Sequence, residues 1–238
     1  MTEELRKVFH EELDAIKNAT VRMAGRVSEA IVRGTDALLS GDLDAALALI
    51  ENDDAIDAMS IDLEGRCYQV LSLQQPMASD LRAITGALWI NGEIERSADL
   101  MSNVCKASRR IHGKTIDPIV RGLIEQMSAE AARLFRLSID AYNEGDSGLA
   151  AALDDIDDRL DELNEDTVEA IFASHKNTTE PDLQLSVQLA LVCRYYERIG
   201  DHAVNIGERV TYIVNGWMPE NTGAMRAAAR ANEDKGEK

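Results

Sequence analysis

Aromatic residues are scarce in this chain: Phe, Tyr and Trp together supply 4% of its 238 residues. Sheets draw heavily on aromatic and β-branched side chains, so the scarcity weighs against a sheet and toward helix. Cysteine is scarce too. Cys67, Cys105 and Cys193 are odd in number and far apart, which excludes a disulfide framework or a zinc ribbon and reads as small buried hydrophobes. No run approaches the ~18 apolar residues of a transmembrane helix. The start of the chain, Met1 to Asp14, has no apolar stretch of the kind a secretory leader needs. Basic residues number 25 against 43 acidic ones, a formal charge of −18. No basic stripe is left to neutralise phosphates, which argues against nucleic acid. The same excess argues against broad adsorption to an anionic membrane, and the missing apolar run argues against direct membrane insertion. A Gly-x-x-x-x-Gly-Lys loop, a Gly-x-Gly-x-x-Gly turn, a Gly-x-Ser-x-Gly elbow and a His-Glu-x-x-His pair are all missing. No Glu is followed by His three residues later, so the Glu-x-x-His ligands of di-iron bundle oxidases are missing as well.

What is present is a duplication. Glu95-Arg96-Ser97-Ala98-Asp99, with Asn103 beyond it, parallels Glu197-Arg198-Ile199-Gly200-Asp201 and Asn205. Upstream, Gly41-Asp42 parallels Gly145-Asp146, and Asp53-Asp54-Ala55-Ile56-Asp57 parallels Asp157-Asp158-Arg159-Leu160-Asp161. A repeat of this kind is one structural unit used twice.

Apolar residues at Leu5, Val8, Phe9, Leu13, Ile16, Ala19 and Met23 step by three or four, which predicts a first helix from near Thr2 to Ser40. Gly25 and Gly34 inside it either weaken the helix by about 1 kcal/mol each or permit close packing. Asp42 is a fitting N-cap for a second helix toward Leu73, and Gln74-Gln75-Pro76 interrupts the pattern. Ser79 is expected to cap a third helix reaching about Ile111. Asp117-Pro118 opens a fourth, ending near Glu144-Gly145. A fifth runs from Asp146 to about Ser174. Thr179-Glu180-Pro181-Asp182 offers a capping box for a sixth, which stops near Asn215-Gly216. The fold class is therefore all-α: two tandem antiparallel three-helix bundles, residues 1–113 and 114–218, with a pseudo-two-fold internal repeat and a disordered tail over 219–238.

Residues i and i+4 are neighbours on a helix face, so Asp53/Asp57, Glu95/Asp99, Asp157/Asp161 and Glu197/Asp201 are four paired carboxylates. Adjacent antiparallel helices could join two pairs into a set of four. Such a set calls for a counter-charge, either a divalent or trivalent hard cation or the arginines Arg96 and Arg198. Eleven acidic i, i+4 pairs occur in the chain, and chance placement gives roughly seven or eight. A single pair is thus no signal; recurrence at equivalent places in both halves is one. Metal sites and an ordinary solvated acidic face both remain open. His202 lies about 100° around the helix from Asp201, which favours a structural hydrogen bond over ligation.

The run Arg194-Tyr195-Tyr196-Glu197-Arg198-Ile199-Gly200-Asp201-His202-Ala203-Val204-Asn205-Ile206 resembles the hallmark motif of the PhoU family, the regulatory accessory proteins of bacterial high-affinity phosphate transporters. With the repeat and the acidic motifs, the resemblance extends over about residues 5–215. The first-half motif departs from the pattern at Ser97 and Ala98, where Ile and Gly are usual, so local packing is expected to differ there. The resemblance implies multinuclear clusters of iron or zinc, held by Asp53, Asp57, Glu95 and Asp99 in one half and by Asp157, Asp161, Glu197 and Asp201 in the other. It implies a cytoplasmic negative regulator that damps phosphate uptake and holds a phosphate-sensing histidine kinase in its non-activating state. The implied partners are that kinase and the ATPase subunit of the phosphate ABC transporter, which could place the chain peripherally at the inner face of the membrane. The sequence leaves a homodimer open. It also leaves two other readings of the bundle, a carboxylate-ligated di-metal oxidoreductase and a purely structural helical scaffold.

Overall fold

The computed structural model describes residues 3–174 and 182–217. Six helices fill them: α1 Glu3–Ser40, α2 Leu43–Gln74, α3 Ala78–Arg110, α4 Pro118–Glu144, α5 Ser147–Ser174 and α6 Leu183–Asn215. Among the described residues there is no strand, and no helix is long and apolar enough to cross a membrane. The expected tail over 219–238 lies outside the described residues.

Carboxylates satisfy the free amides at most helix starts, as N-caps do. Asp42 accepts from the Ala45 N–H at 2.9 Å, Asp117 from Ile119 at 2.8 Å, Asp146 from Leu149 at 3.0 Å and Asp182 from Leu185 at 3.0 Å. Two expected starts differ. At α3 the cap position belongs to Met77, which offers no side-chain bond, and Ser79 is already inside the helix. Pro76 disfavours helical backbone at Gln75. Gln75 takes the left-handed region instead (φ 46°, ψ 56°), and Ala78 (φ 51°) re-enters the helix early. At α6 the cap is Asp182; Thr179, Glu180 and Pro181 lie outside the described residues.

Helices α1, α2 and α3 pack on one another, as do α4, α5 and α6. The two sets meet where α3 packs on α6 and α1 on α4, whereas α2 and α5 touch only their own set among the described residues. One apolar core runs through both sets. Met23, Ile31, Ile90 and Val104 join Met127, Phe135, Leu160 and Ile199 in it. Burying a side chain of this size stabilises the fold by about 1.5–3 kcal/mol, so the core ties the sets together as well as filling each one.

Polar contacts fix the seam. The Thr35 hydroxyl on α1 stands 2.6 Å from Ser128 Oγ on α4 and 2.6 Å from the Tyr196 hydroxyl on α6. Tyr196 is fully buried, and a buried tyrosine hydroxyl needs such a partner. Also across the seam, the Arg209 guanidinium lies 4.0 Å over the Trp89 ring, an α6 to α3 contact.

Candidate metal centres

Each acidic motif falls on the element its spacing requires: Asp53 and Asp57 on α2, Glu95 and Asp99 on α3, Asp157 and Asp161 on α5, Glu197 and Asp201 on α6. Because α2 packs on α3 and α5 on α6, each set of four shares one local field. The pKa of Asp53 is raised by burial, an effect the adjacent Ser102 hydroxyl partly offsets, and Asp99 and Asp57 raise it further. Glu95 is raised by burial, then by Asp99 and Asp57, with Arg96 opposing. In the second set Asp157 is pushed up to about 7, first by burial and then by Asp161, Asp201, Asp154 and Glu197. Asp161 is raised by burial, then by Glu197 and Asp201.

The counter-charges differ between the sets. In the second, Arg194 donates to Glu197, Asn164 Nδ2 donates to Glu197 Oε2 at 2.8 Å, and Arg198 Nη1 donates to Asp201 Oδ2 at 3.2 Å. In the first, Asp53, Asp57, Glu95 and Asp99 make no ion pair among the described residues. Arg96, expected from the sequence as a neutralising partner, turns to Glu93 instead, Nη2 to Oε1 at 2.5 Å.

The donor set is carboxylate oxygen throughout, which suits hard cations. One donor is visibly waiting for a partner: Asp157 Oδ1 is buried and makes no hydrogen bond. It lies against Gly200, where an added Cβ would stand 2.4 Å from that oxygen. As the side chains stand, no three His, Cys, Asp or Glu among the described residues are arranged to hold an ion. Carboxylates without a counter-ion repel and, in the second set, turn to the neighbouring arginines. Ligation of one ion by such a set therefore requires side-chain rotation on a fixed helical frame.

The sequence matches the PhoU domain twice, over residues 20–108 and 124–210. The chain belongs to the PhoU family. All eight acidic residues fall inside the two matched stretches. The phosphate-specific transport system accessory protein PhoU homolog 1 of Mycobacterium tuberculosis is 31% identical over 216 residues, 90% of this chain and 96% of the relative. The homolog from Clostridium acetobutylicum is 30% identical over 89% of this chain and 96% of its own length. Among solved structures, PhoU from Pseudomonas aeruginosa superposes with a TM-score of 0.82 at 25% identity, covering 88% of this chain and all of that one. The Streptococcus pneumoniae protein shares the fold, with a TM-score of 0.81 at 22% identity.

Within the PhoU motif of α6, His202 is buried and makes the structural bond its position predicts: Nδ1 lies 2.6 Å from Glu93 Oε2 on α3. Asn205 Nδ2 donates to the same oxygen at 3.3 Å. Burial works to raise the pKa of Glu93, but His202, Arg96 and Asn205 together hold it below the usual range. Sequence reasoning missed Glu93. The available signal was its place in the apolar stripe Ile90, Ile94, Ser97 and Met101, where an acid needs a partner from another element.

Proposed function

We propose that this PhoU chain is a cytoplasmic, non-enzymatic regulatory adaptor of a high-affinity phosphate transporter, binding metal through its two sets of four carboxylates. The observation that carries the reading is the pair of acidic sets, each with carboxylates close enough to raise one another's pKa, inside two PhoU domains, in a chain whose relatives are named as phosphate-transport accessory proteins. Asp53, Asp57, Glu95 and Asp99 would hold one cluster, and Asp157, Asp161, Glu197 and Asp201 the other, with iron or zinc as the expected metals. A bound cation would offset the mutual repulsion within each set. The residues then present an ordered acidic face on α2–α3 and on α5–α6. On this reading the face docks the transporter's ATPase subunit and the phosphate-sensing histidine kinase, keeping both quiet when phosphate is plentiful. The chain acts through surfaces rather than chemistry, and no nucleophile and general base are paired in its acidic sets.

Deleting the gene tests the regulatory role. Alkaline phosphatase, or another phosphate-starvation reporter, is expected to be high in excess phosphate; reporter levels as low as in the parent, with no second family member in the cell, would refute it. Changing Asp57, Asp99, Asp161 and Asp201 together to Ala is expected to abolish metal uptake by the purified protein. Unchanged metal content would remove the acidic sets from the reading.

A further inference from the structure

The two bundles share their acidic motifs but not the packing beside them. In the second, α6 presents Gly200 and Gly207 to α5, and an added Cβ at Gly207 would stand 2.7 Å from the Ala150 carbonyl oxygen. Two residues without side chains let these helices seat closely. At the equivalent places of α3 the first bundle has Ala98 and Cys105. There a cleft of about 240 Å³ opens among α1, α2 and α3, with Ala98 and Cys105 in its wall.

Two polar residues of this cleft are particular to the first half. Ser102 and Asn52 line it, where the repeat places Val204 and Ile156 in the second. Arg26, Glu29 and Arg33 stand at its rim, and Asp53 faces it. Arg33 pairs with Glu29 at 3.0 Å, while Arg26 has no ion pair among the described residues. Ser102 is 4% exposed; its Oγ makes no hydrogen bond of ordinary geometry and lies beside the Asp53 carboxylate, which it helps to hold ionised. A hydroxyl so placed can donate to that carboxylate or to an oxygen of a ligand in the cleft.

We infer that this cleft is a site for a small protonated oxyanion of the phosphate class, held by Arg26, Arg33, Ser102 and Asn52 and read by Asp53. Two guanidiniums, a hydroxyl and an amide supply donors for tetrahedral oxygens, and arginine is the residue suited to them. The carboxylate decides which oxyanion. Asp53 can accept a hydrogen bond from hydrogenphosphate, which carries an O–H, but repels sulfate, which carries none at neutral pH. The enclosed volume suits a free ion with water rather than a large ester. The inference shares Asp53 with the metal reading above but needs no metal.

The test is equilibrium dialysis of labelled inorganic phosphate against the full-length, chelator-treated protein. One phosphate per chain is expected to bind saturably, with sulfate at least about tenfold weaker. Arg26→Ala with Arg33→Ala should weaken phosphate at least about tenfold, and both arginines are exposed, so the fold is kept. Asp53→Asn should narrow the margin over sulfate, and Ser102→Ala should weaken phosphate a few-fold with the helical circular dichroism unchanged. Absence of saturable uptake up to about 10 mM, or equal affinity in the double arginine variant, overturns the proposal. Because metal is removed first, either result is independent of whether the acidic sets take one.

Discussion

At Asp157, burial and the surrounding acids raise the folded-state pKa to about 7 from an ordinary 3.8. The folded protein therefore holds a proton that the unfolded chain has already released. Between those two values stability falls as pH rises, and above the upper one the loss is complete. The melting temperature of metal-free protein is expected to drop from about pH 5 to about pH 7.5, and Asp157→Asn should flatten much of that slope. A slope unchanged in the variant would show that Asp157 titrates normally. Glu93 gives the second residue-scale expectation. His202→Ala removes its closest partner while Arg96 and Asn205 remain, so a loss of about 2–3 kcal/mol is expected in urea unfolding. Glu93→Gln, which still offers an amide oxygen to the same neighbours, should lose roughly 1 kcal/mol. The pairing of the acidic residues on helix faces and the structural role of His202 were legible in sequence, because both follow from helical spacing. Glu93 and Ser102 were not. Their polar neighbours come from other helices, and no spacing within α3 reveals that.

On the scale of the helices, glycine has two opposite effects here. Gly25 lies in α1 with nothing within 4 Å of an added Cβ, so Gly25→Ala should stabilise the protein by about 0.5–1 kcal/mol through helix propensity. Gly207 lies against the Ala150 carbonyl, and a backbone atom cannot step aside as a side chain can. Overpacking of about 1–3 kcal/mol then exceeds the propensity gain, and Gly207→Ala should lower stability by about 1 kcal/mol or more. Paired denaturation curves decide both. From sequence, Gly25 and Gly34 were equivalent alternatives. The structure separates them, since a Cβ at Gly34 would meet Met101 Cε at 2.7 Å. Helix limits were legible where Asp caps and a proline or glycine coincide, as at Asp117-Pro118 and Glu144-Gly145. The start of α3 was not, because Pro76 acts on Gln75 rather than on the residue that would have capped the helix.

For the molecule as a whole, the shared core and the Thr35, Ser128 and Tyr196 contact predict that the two bundles unfold together. Urea transitions followed by circular dichroism and by tryptophan fluorescence should coincide. Separate midpoints would mean that each bundle stands alone. The Glu93–His202 bond has a consequence for the ancestry of the chain. The step from Glu95 to Glu197 is 102 residues; applied to the seam, it pairs Glu93 with Tyr195 and His202 with Leu100. A chain made of the first half twice would bury Glu93 against Leu100, with Arg96 as its charged partner but no imidazole across the seam. One made of the second half twice would set His202 against Tyr195. Duplication built this architecture, but divergence at the seam has given each half one partner of a bond that two copies of either half could not make.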